Sequence, residues 1–298
     1  NESHCTAAVL RGLIEKGILQ TYRKEVGRLN NSYGEVQPNA IHPLNEAQST
    51  AYDKLLLQMM SHNVTLLHGV TSSGKTEIYI HLILKALQEH KQVLYLLPEI
   101  ALTVQMTDRL RRVFGNKLGI YHSRYNDDER VEIWKKQLSS TPYDVVLGAR
   151  SAVFLPFQRL GLVIVDEEHE TSFKQQDPAP RYHARSAAIV LAQMYGAKTL
   201  LGTATPSAES YRNAQLGKYG LVTLSQRYKD IQLPAIEVVD VKDLRRRKMM
   251  SGLFSPHLLA AVREALQRGE QAILFQNRRG FAPMVECHVC GWVPRCPN

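Results

Sequence analysis

The chain has 298 residues, of which 22% are charged and 44% hydrophobic, so it can form one large α/β domain or two smaller ones with real cores. It has no run of the ~18 apolar residues that a membrane helix needs, and its polar start is no signal peptide, so we expect a cytoplasmic protein without a membrane partner. The formal net charge of +9 favours polyanionic partners.

The first 30 residues suggest the end of a small DNA-binding domain. Apolar positions between Val9 and Ile14 share one face of a helix that Gly17 ends, and the chain after it looks extended. A helix followed by a short ribbon suits a winged-helix remnant, although an ordinary helical hairpin fits the pattern equally well. Residues 31–43 are rich in Asn, Ser, Gly, Pro and Gln and are predicted to be a linker.

From residue 44 to about 228, short apolar runs alternate with helical patterns. The predicted strands are Val64–His68, Val93–Leu97, Val145–Leu147, Leu162–Val165 and Thr199–Leu201. Continuous β-rich runs of this kind predict an α/β fold with a parallel sheet covered by helices on both faces. Ligands of such sheets gather at the carboxyl ends of the strands.

A glycine-rich turn follows the first strand and matches the P-loop pattern G-x-x-x-x-G-K-[ST]. Its residues are Gly69, Val70, Thr71, Ser72, Ser73, Gly74, Lys75 and Thr76. The two glycines let backbone N–H groups surround a phosphate chain, Lys75 supplies a positive charge for the β- and γ-phosphates, and the Thr76 hydroxyl should ligate Mg²⁺. A chance Gly/Ser turn is the alternative, which a preceding strand and a following helix disfavour.

A second polar segment, Asp166-Glu167-Glu168-His169, ends the strand Leu162–Val165. Asp166 is expected to hold Mg²⁺ through water, and Glu167 is the candidate that orients and deprotonates the attacking water. Alone, this segment could be a solvated strand edge. With the P-loop, it predicts hydrolysis of a nucleoside triphosphate in which Lys75, Asp166 and Glu167 are catalytic.

The sequence Asp-Glu-Glu-His resembles the DExH box of superfamily-two helicases and translocases, whose ATP-binding lobe is RecA-like. Further segments follow that superfamily's order: Gln48, where a glutamine reads the adenine, and the runs Pro98–Thr103, Gly148–Ala152 and Gly202–Pro206, which resemble motifs Ia, Ib and III. The resemblance implies DNA-contact or coupling roles, which it carries over to Glu99, Thr103, Arg150, Thr203 and Thr205.

Longer runs resemble the PriA family of bacterial replication-restart helicases. These runs are Pro98–Thr103, Gly148–Phe154, Asp166–His169, Ser172–Gln176, Arg181–Arg185, Asn277–Pro283 and Cys287–Trp292. The resemblance implies an ATP-dependent 3′→5′ DNA helicase that recognises stalled or collapsed forks, binds forked or single-stranded DNA and promotes primosome assembly. It also implies partners: other primosome proteins, the loading machinery of the replicative helicase and single-strand-binding protein.

The segment between Phe173 and Arg185 alternates aromatic and basic side chains. Phe173, Lys174, Arg181, Tyr182 and Arg185 are its candidate DNA contacts. Aromatic faces can stack on bases while cations meet phosphates, which is the usual way to bind a single strand without reading its sequence. Because the loop follows the catalytic acids, DNA bound there could act on Glu167. A surface loop packed only for structure is the alternative.

The resemblance implies that the chain is an internal piece of a longer protein. Residues 1–30 would end a winged helix, 44–228 form the first lobe, 229–254 connect the lobes, 255–286 begin the second lobe and 287–298 begin a zinc module. Ser255-Pro256 should start a helix that Gly269 ends, and Gln271–Phe275 is the next predicted strand.

Three cysteines near the end of the chain, Cys287, Cys290 and Cys296, have the spacing of zinc ligands. In the family, paired cysteines bind two zinc ions, and the remaining partner cysteines are missing here, so we expect weak zinc binding. The arginine motifs of the second lobe are also missing, so this chain alone should bind and hydrolyse ATP weakly.

Two other functions fit part of this pattern. A DNA-structure-binding scaffold could recruit restart proteins while ATP only modulates its grip on DNA. A duplex-DNA translocase would share the DExH core but would not need the Phe173–Arg185 loop or the cysteines.

Overall fold

The computed structural model describes residues 7–19, 40–101, 104–122, 126–227, 235–275 and 292. The chain divides into two compact units, residues 1–231 and 232–298. Within the described ranges, no helix is both long and apolar enough to cross a membrane.

The described part of the larger unit contains a parallel sheet of seven strands. They are β1 (Val64–Gly69), β2 (Gln92–Leu96), β3 (Leu118–Tyr121), β4 (Val145–Gly148), β5 (Leu160–Asp166), β6 (Lys198–Thr203) and β7 (Gly220–Leu224). Their order across the sheet is β3-β4-β2-β5-β6-β1-β7, with every pairing parallel. The five strands predicted between residues 44 and 228 are all present, and β3 and β7 are two more that the sequence patterns did not reveal.

Helices precede, connect and follow the strands. They are α1 (Ala7–Glu15), α2 (Glu46–Ser61), α3 (Lys75–Gln88), α4 (Val104–Phe114), α5 (Asp127–Leu138), α6 (Ala184–Met194) and α7 (Ala208–Gln215), followed in the second unit by α8 (Val241–Arg246) and α9 (Pro256–Gln267). The starts of α2 and α5 are capping boxes: Asn45 pairs with Gln48, and Asn126 pairs with Glu129, each through reciprocal side-chain and backbone hydrogen bonds.

Apolar side chains fill both faces of the sheet. On one face, α2, α3 and α4 contribute a cluster that includes Leu55, Ile83 and Leu110. On the other face, α5, α6 and α7 contribute a second cluster, and successive residues of one strand alternate between the two: Tyr95 belongs to the first cluster and Leu96 to the second. Since both faces are buried, the strands are continuous apolar runs, and the predicted α/β lobe of RecA type is confirmed.

At the start of the chain, the predicted helix is present as α1. Gly17 follows it with φ +68°, a left-handed conformation that ends a helix and that glycine adopts at no steric cost. Residues 20–39, which include the rest of the winged-helix prediction and most of the predicted linker, lie outside the described residues.

In the second unit, the predicted helix after Ser255 is present as α9. The Ser255 hydroxyl accepts a hydrogen bond from the Leu258 N–H, and Gly269 ends the helix with φ +73°. The predicted strand Gln271–Phe275 is wrong, because those residues form no strand and Phe275 is 85% exposed. An apolar run becomes a strand only beside a hydrogen-bonded neighbour, and none of the described residues pairs with this one. Cys287, Cys290 and Cys296 lie outside the described residues.

Candidate nucleotide-binding site

The expected site residues lie at the carboxyl edge of the sheet. Strand β1 ends at Gly69, where the P-loop (residues 69–76) begins, and β5 ends at Asp166. Strand β6 runs between them, with Gly202 beside Asp166 in the register. Because the three strands are parallel, the P-loop and the acidic segment meet at one edge.

Two residues of the P-loop, Ser72 and Gly74, have the left-handed backbone conformation that favours glycine. Gly74 has φ +78°, and a Cβ there would lie 2.2 Å from Gln48 Nε2. Ser72 has φ +61°, which is also left-handed and therefore costs a non-glycine residue free energy. The Gln48 amide donates a hydrogen bond to the Ser73 carbonyl at 3.0 Å. Gln48, expected at the adenine edge, therefore also holds the loop.

Polar groups around the loop suit a phosphate chain. The Ser73 hydroxyl is buried and has no hydrogen-bond partner among the described residues. The Lys75 ammonium donates to the Gly69 carbonyl at 2.9 Å, and α3 begins at Lys75 with its N–H groups facing the loop. Thr76 follows on the first turn of α3. The unpaired Ser73 hydroxyl, the Lys75 ammonium and the N-terminus of α3 together fit an anionic ligand.

The last strand supports the P-loop from the other side. The Val70 N–H donates to the Leu224 carbonyl of β7 at 3.0 Å. Just beyond β7, Arg227 donates to the Thr71 hydroxyl at 3.1 Å. Thus β7 helps to fix the loop that is predicted to hold the phosphates.

Asp166 is a buried carboxylate with three hydrogen-bond donors. Oδ1 accepts from the Tyr79 hydroxyl at 2.9 Å and from the Glu167 N–H at 3.1 Å, and Oδ2 accepts from the Tyr95 hydroxyl at 3.3 Å. Burial and the neighbouring charge of Glu167 raise the pKa of Asp166 from 3.8 to about 6, against the lowering effects of Tyr79 and Lys75. Lys75 is thus close enough to Asp166 to interact electrostatically.

Glu167 and His169 face the end of β6. Glu167 has φ +49°, and its carboxylate is 3.6 Å from His169 Nδ1. The same nitrogen lies 2.8 Å from the Thr203 hydroxyl, and His169 Nε2 lies 3.3 Å from the Thr205 hydroxyl. His169 therefore links the acidic segment to the loop after β6, and the sequence analysis gave His169 no role of its own.

Glu168, the next residue in the acidic segment, is fully buried. Its carboxylate accepts hydrogen bonds from Arg185, from the N–H and hydroxyl of Ser207, and from the Ser210 hydroxyl, at 2.6–3.0 Å. Burial would raise the pKa of Glu168, but these donors outweigh it and the pKa is lowered. The Arg185 side chain is only 14% exposed, and its guanidinium pairs with this buried acid.

Hydrogen bonds from Arg150 and Lys174 hold the Phe173–Arg185 loop in shape. Phe173 is 1% exposed and belongs to the apolar cluster, so its ring offers no face to a base in this conformation. Arg150 donates to the carbonyls of Ser172 and Lys174, both at 3.2 Å. The Lys174 ammonium donates to the Arg181 carbonyl at 2.6 Å. Three of the expected DNA contacts thus shape the loop.

Other predicted contacts remain open to solvent. Arg181 and Glu99 are exposed, and Thr103 lies outside the described residues. Tyr182 is half-buried and packs edge-on against Phe154, with 4.8 Å between the ring centroids. Phe154 is 54% exposed, so it presents the aromatic surface that the sequence analysis assigned to Phe173.

Comparison with known proteins identifies the family. The family model described as DEAD/DEAH box helicase matches residues 45–214, which is more than half of the chain. The chain belongs to the DEAD/DEAH box helicase family. The matched residues include every described site residue from Gln48 to Thr205.

Within this family, the resemblance to replication restart proteins is confirmed. Replication restart protein PriA of Bacillus subtilis is 40% identical over 98% of this chain and 36% of its own length. The Haemophilus influenzae PriA is 41% identical over 98% of this chain and 39% of its own length. The chain therefore spans well under half of these relatives.

Solved structures of helicases resemble the chain more distantly. RecG bound to a three-way DNA junction has 22% identity and a TM-score of 0.46, over 76% of this chain and 28% of its own. The Pyrococcus furiosus Hef helicase domain has 16% identity and a TM-score of 0.48, over 78% of this chain and 50% of its own.

Proposed function

We propose that this chain carries the nucleotide-binding lobe of an ATP-dependent 3′→5′ DNA helicase that recognises stalled or collapsed replication forks and promotes primosome assembly. The observation that carries the proposal is the meeting of the P-loop lysine and a buried acid, Lys75 and Asp166, at one sheet edge. Membership of the DEAD/DEAH box helicase family supports the use of ATP and Mg²⁺, and the likeness to PriA proteins supports the role in replication restart.

The residues that would hold Mg-ATP follow from the geometry of the site. Lys75 would exchange its bond with the Gly69 carbonyl for phosphate oxygens, while the P-loop N–H groups surround the phosphate chain. Thr76 would ligate Mg²⁺, and Asp166 would hold it through water. When bound, Mg-ATP supplies the phosphoryl bond whose hydrolysis drives movement along DNA.

Glu167 would act on the attacking water, since it is partly exposed at the strand end, next to Asp166. Its neighbour His169 contacts both threonines of the loop after β6, Thr203 and Thr205. A shift of that loop on DNA contact would therefore reach Glu167 through one imidazole. This path supports coupling between DNA binding and hydrolysis.

The DNA strand would run along the exposed part of the Phe173–Arg185 loop. Phe154 and Tyr182 would offer aromatic surface to bases, and Arg181 would meet phosphates. Arg150 and Lys174 would act on DNA chiefly by holding the loop in shape. Glu99, which follows β2 and is exposed, would contact the backbone of the DNA strand, and by the resemblance alone so would Thr103.

Further partners follow from the likeness to PriA proteins alone. We expect other primosome proteins, the loading machinery of the replicative helicase and single-strand-binding protein to bind the whole protein. Zinc would be held by Cys287, Cys290 and Cys296 together with cysteines that this chain lacks.

The test uses the intact gene product. We expect forked DNA to stimulate its ATPase, and we expect it to unwind duplexes with a 3′ tail but not matched duplexes with a 5′ tail. The Lys75→Ala variant should lose about 10²–10³-fold in ATPase because it removes a cation from the developing phosphate charge. Restart activity retained by Lys75→Ala would favour the scaffold, and no stimulation of the ATPase by DNA would refute the helicase.

A further inference from the structure

Asp166 sits between two buried tyrosines that come from different elements. Tyr79 belongs to α3 and Tyr95 to β2, and both are fully buried. Their rings meet edge to face, with 5.7 Å between the centroids, and each hydroxyl donates to a different oxygen of the carboxylate. The pair therefore grips Asp166 from two sides.

The first of these bonds joins the two halves of the nucleotide site directly. Residues three apart on a helix share a face, so α3 places Tyr79 one turn after Thr76, the expected Mg²⁺ ligand. The hydroxyl of Tyr79 then reaches Asp166, the other expected Mg²⁺ partner, at 2.9 Å. The same helix thus begins with one magnesium-binding group and holds the second.

The neighbouring strand is shaped to allow this bond. Gly202 of β6 lies beside Asp166, and a Cβ at this position would come within 1.8 Å of the Tyr79 hydroxyl. Only glycine at position 202 leaves room for the Tyr79 hydroxyl in its present position. The hydrogen bond is therefore built into the sheet and is not a by-product of packing.

The donors leave the two carboxylate oxygens unequal. An ionised carboxylate has about four acceptor positions, two on each oxygen. Oδ1 already accepts from Tyr79 and from the Glu167 N–H, whereas among the described residues Oδ2 accepts only from Tyr95, at a longer 3.3 Å. One position on Oδ2 thus remains available to a hydrated cation.

We propose that Tyr79 and Tyr95 are positioning residues that fix the Asp166 carboxylate so that Oδ2 faces the hydration shell of nucleotide-bound Mg²⁺. This inference rests on the proposed function, since it requires Mg-nucleotide at the P-loop. Tyr79 sets the orientation through the shorter bond. Tyr95 restrains Oδ2 through the longer and weaker one.

A role in packing alone makes a different prediction from a role in positioning. If the hydroxyls only satisfy a buried acid, their loss lowers stability and affects nucleotide binding equally with and without Mg²⁺. If they position Asp166 for the cation, their loss weakens only the part of the binding that Mg²⁺ provides. The readout that separates the two is the ratio of nucleotide affinities with and without Mg²⁺.

The experiment measures binding of an ADP analogue carrying an N-methylanthraniloyl group, by fluorescence, in excess Mg²⁺ and in EDTA. Tyr79→Phe and Tyr95→Phe each remove one hydroxyl and keep the ring. Tyr121→Phe is the matched control, because this buried tyrosine has a hydroxyl paired with Arg130 and no bond to Asp166. Urea unfolding of each variant is measured in parallel.

In Tyr79→Phe we expect the affinity gain from Mg²⁺ to fall about tenfold, the size usual for losing an outer partner of a metal site. In Tyr95→Phe the fall should be smaller, and affinity in EDTA should be unchanged in both. Tyr121→Phe should keep the wild-type ratio.

Two results would overturn the proposal: a wild-type Mg²⁺ ratio in both tyrosine variants, or equal losses with and without Mg²⁺. Should Tyr79→Phe fail to fold, a wild-type ratio in Tyr95→Phe is enough to overturn it. A wild-type protein that binds the ADP analogue with no gain from Mg²⁺ would instead refute the proposed function, and this inference with it.

Discussion

Replacing Asp166 with Asn should stabilise the nucleotide-free protein near neutral pH while abolishing its use of Mg²⁺. In the folded protein the Asp166 carboxyl has a pKa of about 6, against 3.8 as its usual value, because it is buried beside Glu167. Each pH unit between these values is worth about 1.4 kcal/mol, so the ionised group costs the fold about 3 kcal/mol at pH 7. The neutral amide avoids that cost and can still accept a hydrogen bond from Tyr79.

The effect has a defined pH window. Below about pH 3.8 Asp166 is protonated in both the folded and unfolded states, so the charge costs nothing. Between 3.8 and about 6 the folded state binds more protons than the unfolded state, and the wild type therefore loses stability as the pH rises. Above about pH 6 the advantage of Asp166→Asn should be complete and constant.

Urea unfolding of both proteins in EDTA, at several pH values from 4.5 to 7.5, would measure this difference. The neighbouring acid is a control with the opposite sign. Glu168 has a lowered pKa and pairs with the nearly buried Arg185, so Glu168→Gln should lose about 3–5 kcal/mol of stability at pH 7. An Asp166→Asn protein no more stable than wild type at pH 7.5, or one whose advantage does not shrink toward pH 4.5, would refute the reasoning.

Other predictions concern the P-loop and the aromatic residues. Ser72→Gly should raise the free energy of unfolding by up to about 1 kcal/mol by relieving a left-handed backbone, as urea titration would detect. Gly74→Ala should reduce binding of the ADP analogue, because its Cβ would clash with Gln48; unchanged affinity would contradict this. Phe154→Ala should weaken single-stranded DNA binding by about 1–3 kcal/mol without loss of stability. Phe173→Ala should instead lower stability by about 3–5 kcal/mol. If Phe173→Ala kept wild-type stability and weakened DNA binding as much as Phe154→Ala does, the roles given to these two residues would be wrong.

The sheet and its carboxyl edge could be predicted because burial on both faces leaves continuous apolar runs. Gly119 interrupts β3 after its first residue, and the exposed Thr223 interrupts β7 before its last, so neither gives such a run. The segment Gln271–Phe275 has the right composition but no neighbour to pair with in the described part of the chain. The amino-acid composition of a segment shows that it could form a strand, but the rest of the fold decides whether a neighbouring strand is there to pair with it.

The nucleotide site was predictable to the extent that its chemistry is local. Lys75 and Asp166 lie in short patterns with known roles, and the structure brings them to one edge. Which aromatic ring is exposed depends on packing between distant segments, so the sequence named the buried Phe173 as a DNA contact and gave the exposed Phe154 no role. The hydrogen bond from Tyr79 to Asp166 could be inferred from the sequence in one way only: Tyr79 lies one helical turn after the P-loop threonine, Thr76.

The support of the P-loop by β7 has a practical consequence for shortened versions of the protein. Leu224 and Arg227 hold the backbone and a side chain of the loop, although they are more than 150 positions further along the chain. A truncation that stopped near Thr205 would keep the P-loop and the acidic segment and still remove both supports. Any minimal nucleotide-binding version should therefore extend at least through Arg227.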